Sequence, residues 1–102
     1  MISISTTSNS DTVLKEIASE ILTQKLSACT HISKIDYSGY IWKNELVYES
    51  EFKLEIKTIE SYQSNILDII KQKHNYKIFE LSVCKINSLN QDYNQWFNEQ
   101  LK

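Results

Sequence analysis

Residues 46–58 alternate without interruption: Leu46, Tyr48, Ser50, Phe52, Leu54, Ile56 and Thr58 occupy one set of positions, and Val47, Glu49, Glu51, Lys53, Glu55 and Lys57 the other. A period of two sustained over this length describes one long, half-buried β-strand. At about 3.3 Å per residue it runs roughly 40 Å. A chain of 102 residues packs into a globule only about 33 Å across, from a radius of gyration of about 13 Å. The strand therefore overshoots its own domain. Overhanging strand leaves N–H and C=O groups unpaired beside apolar side chains, which is a template for another chain. The expectation is a closed homo-oligomer joined through sheet edges.

The rest of the chain supplies partners for that strand. Residues 2–7 read as a first strand, and the polar run 8–11 is fit to cap a helix over 11–26, whose apolar residues Leu14, Ile17, Ala18, Ile21 and Leu22 fall on one stripe. A second strand over 28–42 shifts its apolar phase between Ile32 and Ile35, as a bulge does. Lys43, Asn44 and Glu45 turn the chain into the long strand. Thr58 is placed to cap a helix over 59–74 that turns Tyr62, Ile66, Ile69 and Ile70 inward. Residues 78–87 form a fourth strand, and Asn90 caps a last helix faced by Tyr93, Trp96, Phe97 and Leu101. The order β, α, β, β, α, β with an additional C-terminal helix is the split βαβ pattern: an α+β, ferredoxin-like sandwich with two helices on one face of an antiparallel sheet. No linker divides residues 1–102, which read as a single domain.

Composition removes several function classes. All 11 basic residues are Lys, and the net charge is −2. A chain without Arg lacks the forked donors that dominate base readout and phosphate contact, so nucleic acid is not expected as a partner. With no Pro and Gly39 as the single glycine, neither a P-loop nor a dinucleotide fingerprint can be written. No stretch of about twenty apolar residues and no signal-peptide pattern are present, so a cytoplasmic protein without a membrane partner is expected. In that reducing compartment Cys29 and Cys84 are expected as buried free thiols. No serine sits in a nucleophile elbow, and no pair of titratable groups is spaced as acid and base. No catalytic residue is assigned, and the chain is not expected to be an enzyme.

A few residues are suited to ligand binding. His74 ends the second helix, and Glu80 follows shortly after it. Imidazole is the commonest metal ligand, although a helix C-terminus also stabilises a histidine with no further role. Cys29-x-His31 places a thiol and an imidazole on one strand face. That pair is either half of a soft metal site awaiting ligands from elsewhere, or a buried thiol beside an incidental histidine. Glu49, Glu51, Lys53, Glu55 and Lys57 share a face that reads most simply as solvated, or else lines a cation-binding cleft between subunits. Tyr93 and Trp96, with Phe97, suit core or interface packing.

Read together, five segments resemble the CutA family of divalent-cation tolerance proteins over nearly the whole chain. They are Ser5-Thr6-Thr7 closing the first strand, Ile17-Ala18 followed by Leu26-Ser27-Ala28-Cys29, Tyr40-x-Trp42, Glu49 with Leu54-x-Ile56-Lys57-Thr58, and His74-x-Tyr76 with Glu80 and Tyr93-x-x-Trp96. The resemblance implies a tight cytoplasmic homotrimer akin to the PII signalling proteins, active in divalent-cation tolerance. Its clefts between subunits would take a divalent cation, copper or zinc, or a small molecule. It implies His74, Glu80 and Cys29 as metal donors, and Trp42, Glu49, Lys57, Tyr76, Tyr93 and Trp96 as cleft residues. The chain departs from the family where His74-Asn75-Tyr76-Lys77-Ile78-Phe79-Glu80 lacks both prolines. The family's copper ligands, a first-strand Cys and two adjacent His, correspond here to Thr6, Lys73 and His74. The alternative is a PII-like scaffold that recognises a partner protein or metabolite, with metal incidental.

Overall fold

In the computed structural model, which describes residues 1–102, the chain runs β1 (Ile2–Ser8), α1 (Asp11–Thr23), β2 (Cys29–Trp42), β3 (Glu45–Thr58), α2 (Gln63–Lys73), β4 (Ser82–Lys85) and α3 (Gln91–Gln100), with a 3-10 turn at Glu60–Tyr62. The strands form one antiparallel sheet in the order β2-β3-β1-β4, which is the ferredoxin-like order. β2 and β3 are 14 residues each, and the molecule measures 46 × 27 × 20 Å. The long axis follows from the hairpin overshooting the domain, as the alternation implies. Lys43 and Asn44 close that hairpin with φ of 51° and 65°. Two successive left-handed residues form the turn whose twist matches the flanking strands, and Asn tolerates that conformation best after Gly.

The core lies between the sheet and α1 with α2. Ile2, Ile4, Leu54 and Ile56 meet Leu14, Ile17, Ile21, Ile66 and Ile70, all nearly or fully buried. Of the long strand, only the half paired with β1 is covered in this way. Towards the turn the same alternation leaves Ile41, Leu46 and Tyr48 exposed, at 72%, 70% and 59%.

Several boundaries differ from the sequence expectation for identifiable reasons. α1 stops at Thr23, short of residue 26, because Lys25 adopts a φ of 57°. Lys25 N–H then donates to Leu22 O and Leu26 N–H to Ile21 O, which satisfies the last carbonyls of the helix. The bulge falls between Ile35 and Ser38, not between Ile32 and Ile35. There Asp36 and Tyr37 face one residue of β3, Ser50, whose hydroxyl donates to Asp36 O. Thr58 does not cap α2. Its hydroxyl donates to Leu26 O, and α2 begins after the intervening turn. β4 is four residues rather than ten because the upper part of β1 is taken: the His74 ring, not a strand, satisfies Thr7 O. Ser10 and Asn90 do cap α1 and α3, accepting from Val13 N–H and from Asp92 and Tyr93 N–H.

Both cysteines are free, but the expectation that they are buried is corrected. Cys84 is exposed and Cys29 half-buried, because they lie on β4 and β2, the two edges of the sheet. Three strand spacings separate them, about 14 Å.

Candidate functional site

The residues singled out in the sequence gather at two places along the hairpin. The first is where β2 bends at its bulge. Glu51 on β3 is 6% exposed there, and two hydroxyls satisfy its carboxylate: Ser38 Oγ donates at 2.7 Å and Tyr76 OH at 2.8 Å. The expectation of a fully solvated charge face is therefore corrected at Glu51. The bulge brings Ser38 over it from one side, and the segment after α2 brings Tyr76 from the other. Burial, reinforced by the bond to Glu51, holds the Tyr76 phenol well above its ordinary pKa. Beside it Tyr40 donates to Glu49 Oε1 at 2.6 Å, a bond that raises the Tyr40 pKa to about 12.

His74 supports this cluster from below. Its Nδ1 accepts from Tyr76 N–H at 3.0 Å, so the ring proton sits on Nε2, which donates to Thr7 O at 3.0 Å with Thr6 Oγ1 at 3.1 Å. The ring stacks on Phe79 with centroids 4.4 Å apart. Both nitrogens are thus engaged in one neutral tautomer, and His74 offers no free lone pair to a metal as it stands. Burial lowers its pKa below 6.5, against the opposing effects of the Thr7 carbonyl and the Glu51 charge. An unfolded chain takes up a proton near 6.5 that the folded one refuses, so this contribution to stability is intact above that pH and is lost as pH falls through it. Urea midpoints measured from about pH 7.5 down to about pH 5 should fall more steeply for the native chain than for a His74→Gln variant. Parallel slopes would remove His74 as the source.

The second place is the opposite end of the hairpin. Cys29 pairs with Lys57 and His31 with Glu55 across β2 and β3, and Cys29 Sγ lies 3.7 Å from His31 Nε2. Tyr93 on α3 packs beside the thiol, its pKa raised by burial first and by that sulfur second. Trp96 stands next to Tyr93, with ring centroids 5.7 Å apart.

Of the expected cleft residues, then, Glu49 and Tyr76 meet at one end, and Lys57, Tyr93 and Trp96 at the other. Eight residues of β3 separate Glu49 from Lys57, about 26 Å. Trp42 stands beyond the first cluster, beside the hairpin turn. The expected donors do not converge within one chain either. Glu80 is exposed in an irregular segment. The register places Cys29 about 14 Å from Thr6, two strands across and three residues along, and the His74 ring meets the chain at Thr6 and Thr7. No three His, Cys, Asp or Glu residues are close enough to hold a metal ion. A surface groove of about 390 Å³ between α1 and β2, around Ala18, Leu22, Thr30 and Ile32, involves none of these residues. Sequence reasoning missed Ser38 and Phe79. Ser38 had a readable signal in the broken phase of β2, whereas nothing local marked Phe79 as the ring beneath His74.

Such a chain is a ferredoxin-like sandwich that extends one hairpin beyond its domain and strings polar side chains along it, with no single enclosed pocket. Residues 2–100 match the protein family described as CutA1 divalent ion tolerance protein, and the chain belongs to that family. A divalent-cation tolerance protein CutA from Salmonella newport is 30% identical over 96 residues, covering 94% of this chain and 84% of the Salmonella protein. CutA1 from Oryza sativa superposes with a TM-score of 0.90 at 28% identity, covering 99% and 93% of the two chains. The structure of a CutA from Archaeoglobus fulgidus, called a periplasmic divalent cation tolerance protein, gives a TM-score of 0.91 at 25% identity and covers both chains fully. The fold and family implied by the sequence segments are therefore correct. No helix is long and apolar enough to cross a membrane.

Proposed function

We propose that this chain acts in divalent-cation tolerance as a non-catalytic homotrimer that binds a cation, copper or zinc, at clefts between subunits. The observation that carries this reading is the division of the cleft residues between two ends of one hairpin, about 26 Å apart. A neighbouring copy is what can set one subunit's Glu49 and Tyr76 beside another's Lys57, Tyr93 and Trp96. The exposed Ile41, Leu46 and Tyr48 supply the apolar surface for that association. His74, engaged at both nitrogens, acts in this arrangement by orienting Tyr76. The carboxylates of Glu49 and Glu80 and the thiol of Cys29 are the available donors. The cytoplasm is the compartment proposed, since it keeps both thiols reduced.

Calorimetric titration of the purified protein with Cu and Zn under reducing conditions tests the reading. Saturable binding at a fixed number of ions per chain is expected, and its absence would overturn the cation role. The exposed aromatics Tyr37, Tyr48 and Trp42 favour a second reading, a PII-like trimeric scaffold for a partner protein or metabolite. A thermal shift with metabolites and none with metals would select it.

A further inference from the structure

α3 buries a single side chain, Phe97, which is 1% exposed, and its two flanks differ. Tyr93 and Trp96, three apart, lie on the flank that borders Cys29. Asn94 and Asn98, four apart, lie on the other. The Asn94 flank faces a groove of about 290 Å³ between α3 and the end of the sheet. Its apolar part is made by Phe97 with Met1, Ile59 and Ile86, which meet because Met1 O accepts from Ile86 N–H at 3.0 Å just beyond β1 and β4. Its polar part is Asn94. The Asn94 Nδ2 donates to Ser88 O at 3.0 Å, and this fixes which end of the amide is oxygen, since the reverse placement would set two oxygens face to face. Asn94 Oδ1 is then a buried acceptor with no donor. Such atoms are rare, because burial forfeits the bonds that water would give. The other one in this chain is Ser3 Oγ, two residues along from Met1 and so on the same face of the sheet.

We propose that this groove binds a small neutral cyclic amide, of the chemical kind nucleobases exemplify, whose ring N–H donates to Asn94 Oδ1 while the ring lies against Ile59, Ile86 and Phe97. No lining side chain is charged, so an ion finds no counter-charge there and a neutral ligand loses nothing. The fixed orientation of Asn94 demands a donor from the ligand, and the apolar part of the groove takes the rest of its body. A volume at the lower end of the range for ligand sites, about 300 Å³ upward, selects a small molecule. Selectivity follows from the same oxygen. A ring methylated at its nitrogens fills the groove equally well but leaves Oδ1 buried without a donor. The site goes beyond the cation reading above and needs neither a metal nor a neighbouring copy, since every residue that lines it belongs to one chain.

Uracil, and dimethyluracil methylated on both ring nitrogens, are the same ring with and without N–H donors. Each is titrated into the full native protein while nitrogen-edited NMR follows the Asn94 side-chain amide, identified by its absence from an Asn94→Leu variant. Uracil should shift that signal saturably, and dimethyluracil should bind at least about tenfold more weakly, the step expected for one lost hydrogen bond. Asn94→Leu should lose uracil binding, but it also frees Ser88 O and could loosen the preceding loop. Ile59→Trp fills the groove from the opposite wall without touching Asn94, and it too should abolish the shift. Leu22→Trp, in the separate groove between α1 and β2, should leave binding unchanged. No saturable shift with uracil up to about 10 mM overturns the proposal. So does equal binding of the two rings, which would mark apolar filling alone. Binding that survives Ile59→Trp, or that is lost in Leu22→Trp, places the ligand elsewhere and overturns it as well. None of these outcomes bears on the cation reading, which the Cu and Zn titrations test separately.

Discussion

Replacing Ile41 and Leu46 together by aspartate is expected to reduce the assembled protein to monomers and to remove the concentration dependence of its melting. The two residues are direct partners across the hairpin and are 72% and 70% exposed in the single chain. Neither belongs to the core between the sheet and the helices, so the variant should still fold. In a trimer joined through this hairpin, each side chain contributes about 1.5–3 kcal/mol by burial. Two per subunit, lost from three subunits, far outweigh the margin of an ordinary interface. Aspartate adds the penalty of desolvating a carboxylate without a partner. Light scattering should show the mass fall from three chains to one. The native melting temperature should rise with protein concentration, because folding and assembly are linked, and that of the variant should not. A variant that keeps the native mass would show that subunits meet elsewhere, and would remove the support the hairpin gives to clefts between subunits.

The legible part of this protein is the part governed by periodicity. The alternation over residues 46–58 fixes β3, its length against the size of the domain implies the overhang, and the helical spacings of Leu14, Ile17 and Ile21 and of Ile66, Ile69 and Ile70 identify the faces that are buried. Those signals are local, so they survive without knowledge of neighbours. The site was less legible because it is made by side chains distant in sequence. Glu51 sits in a run of charges indistinguishable from a solvated face, and only Tyr76, 25 positions later, and Ser38, 13 positions earlier, make it a buried carboxylate. Thr58 looked like a helix cap by type and position, yet a carbonyl 32 positions earlier, that of Leu26, competes for its hydroxyl and wins. Cys29 and His31 are the converse case: their spacing placed them on one face, and what the structure adds is the distance.

Removing the Tyr76 hydroxyl by Tyr76→Phe is expected to cost about 2–3 kcal/mol of stability, because two groups lose a partner at once. The buried Glu51 carboxylate keeps only Ser38 as a donor, and Asn9 N–H loses the oxygen it donates to at 2.8 Å. A hydrogen bond to a charged group contributes about 1.5–3 kcal/mol, twice a neutral one, and the cost of leaving the charge unsatisfied dominates that figure. Adding Ser38→Ala strips the carboxylate of its remaining donor and should bring the total to about 3–5 kcal/mol. The argument also predicts a rescue. In the Tyr76→Phe background, Glu51→Gln removes the charge that has become costly, so the double variant should be less destabilised than the sum of the two single ones, by at least about 1 kcal/mol. Urea midpoints at one fixed protein concentration supply all corners of that cycle. Simple additivity would mean that Tyr76 and Glu51 act independently, and that the link from His74 through Tyr76 to Glu51 carries no energy along the chain of contacts it traces.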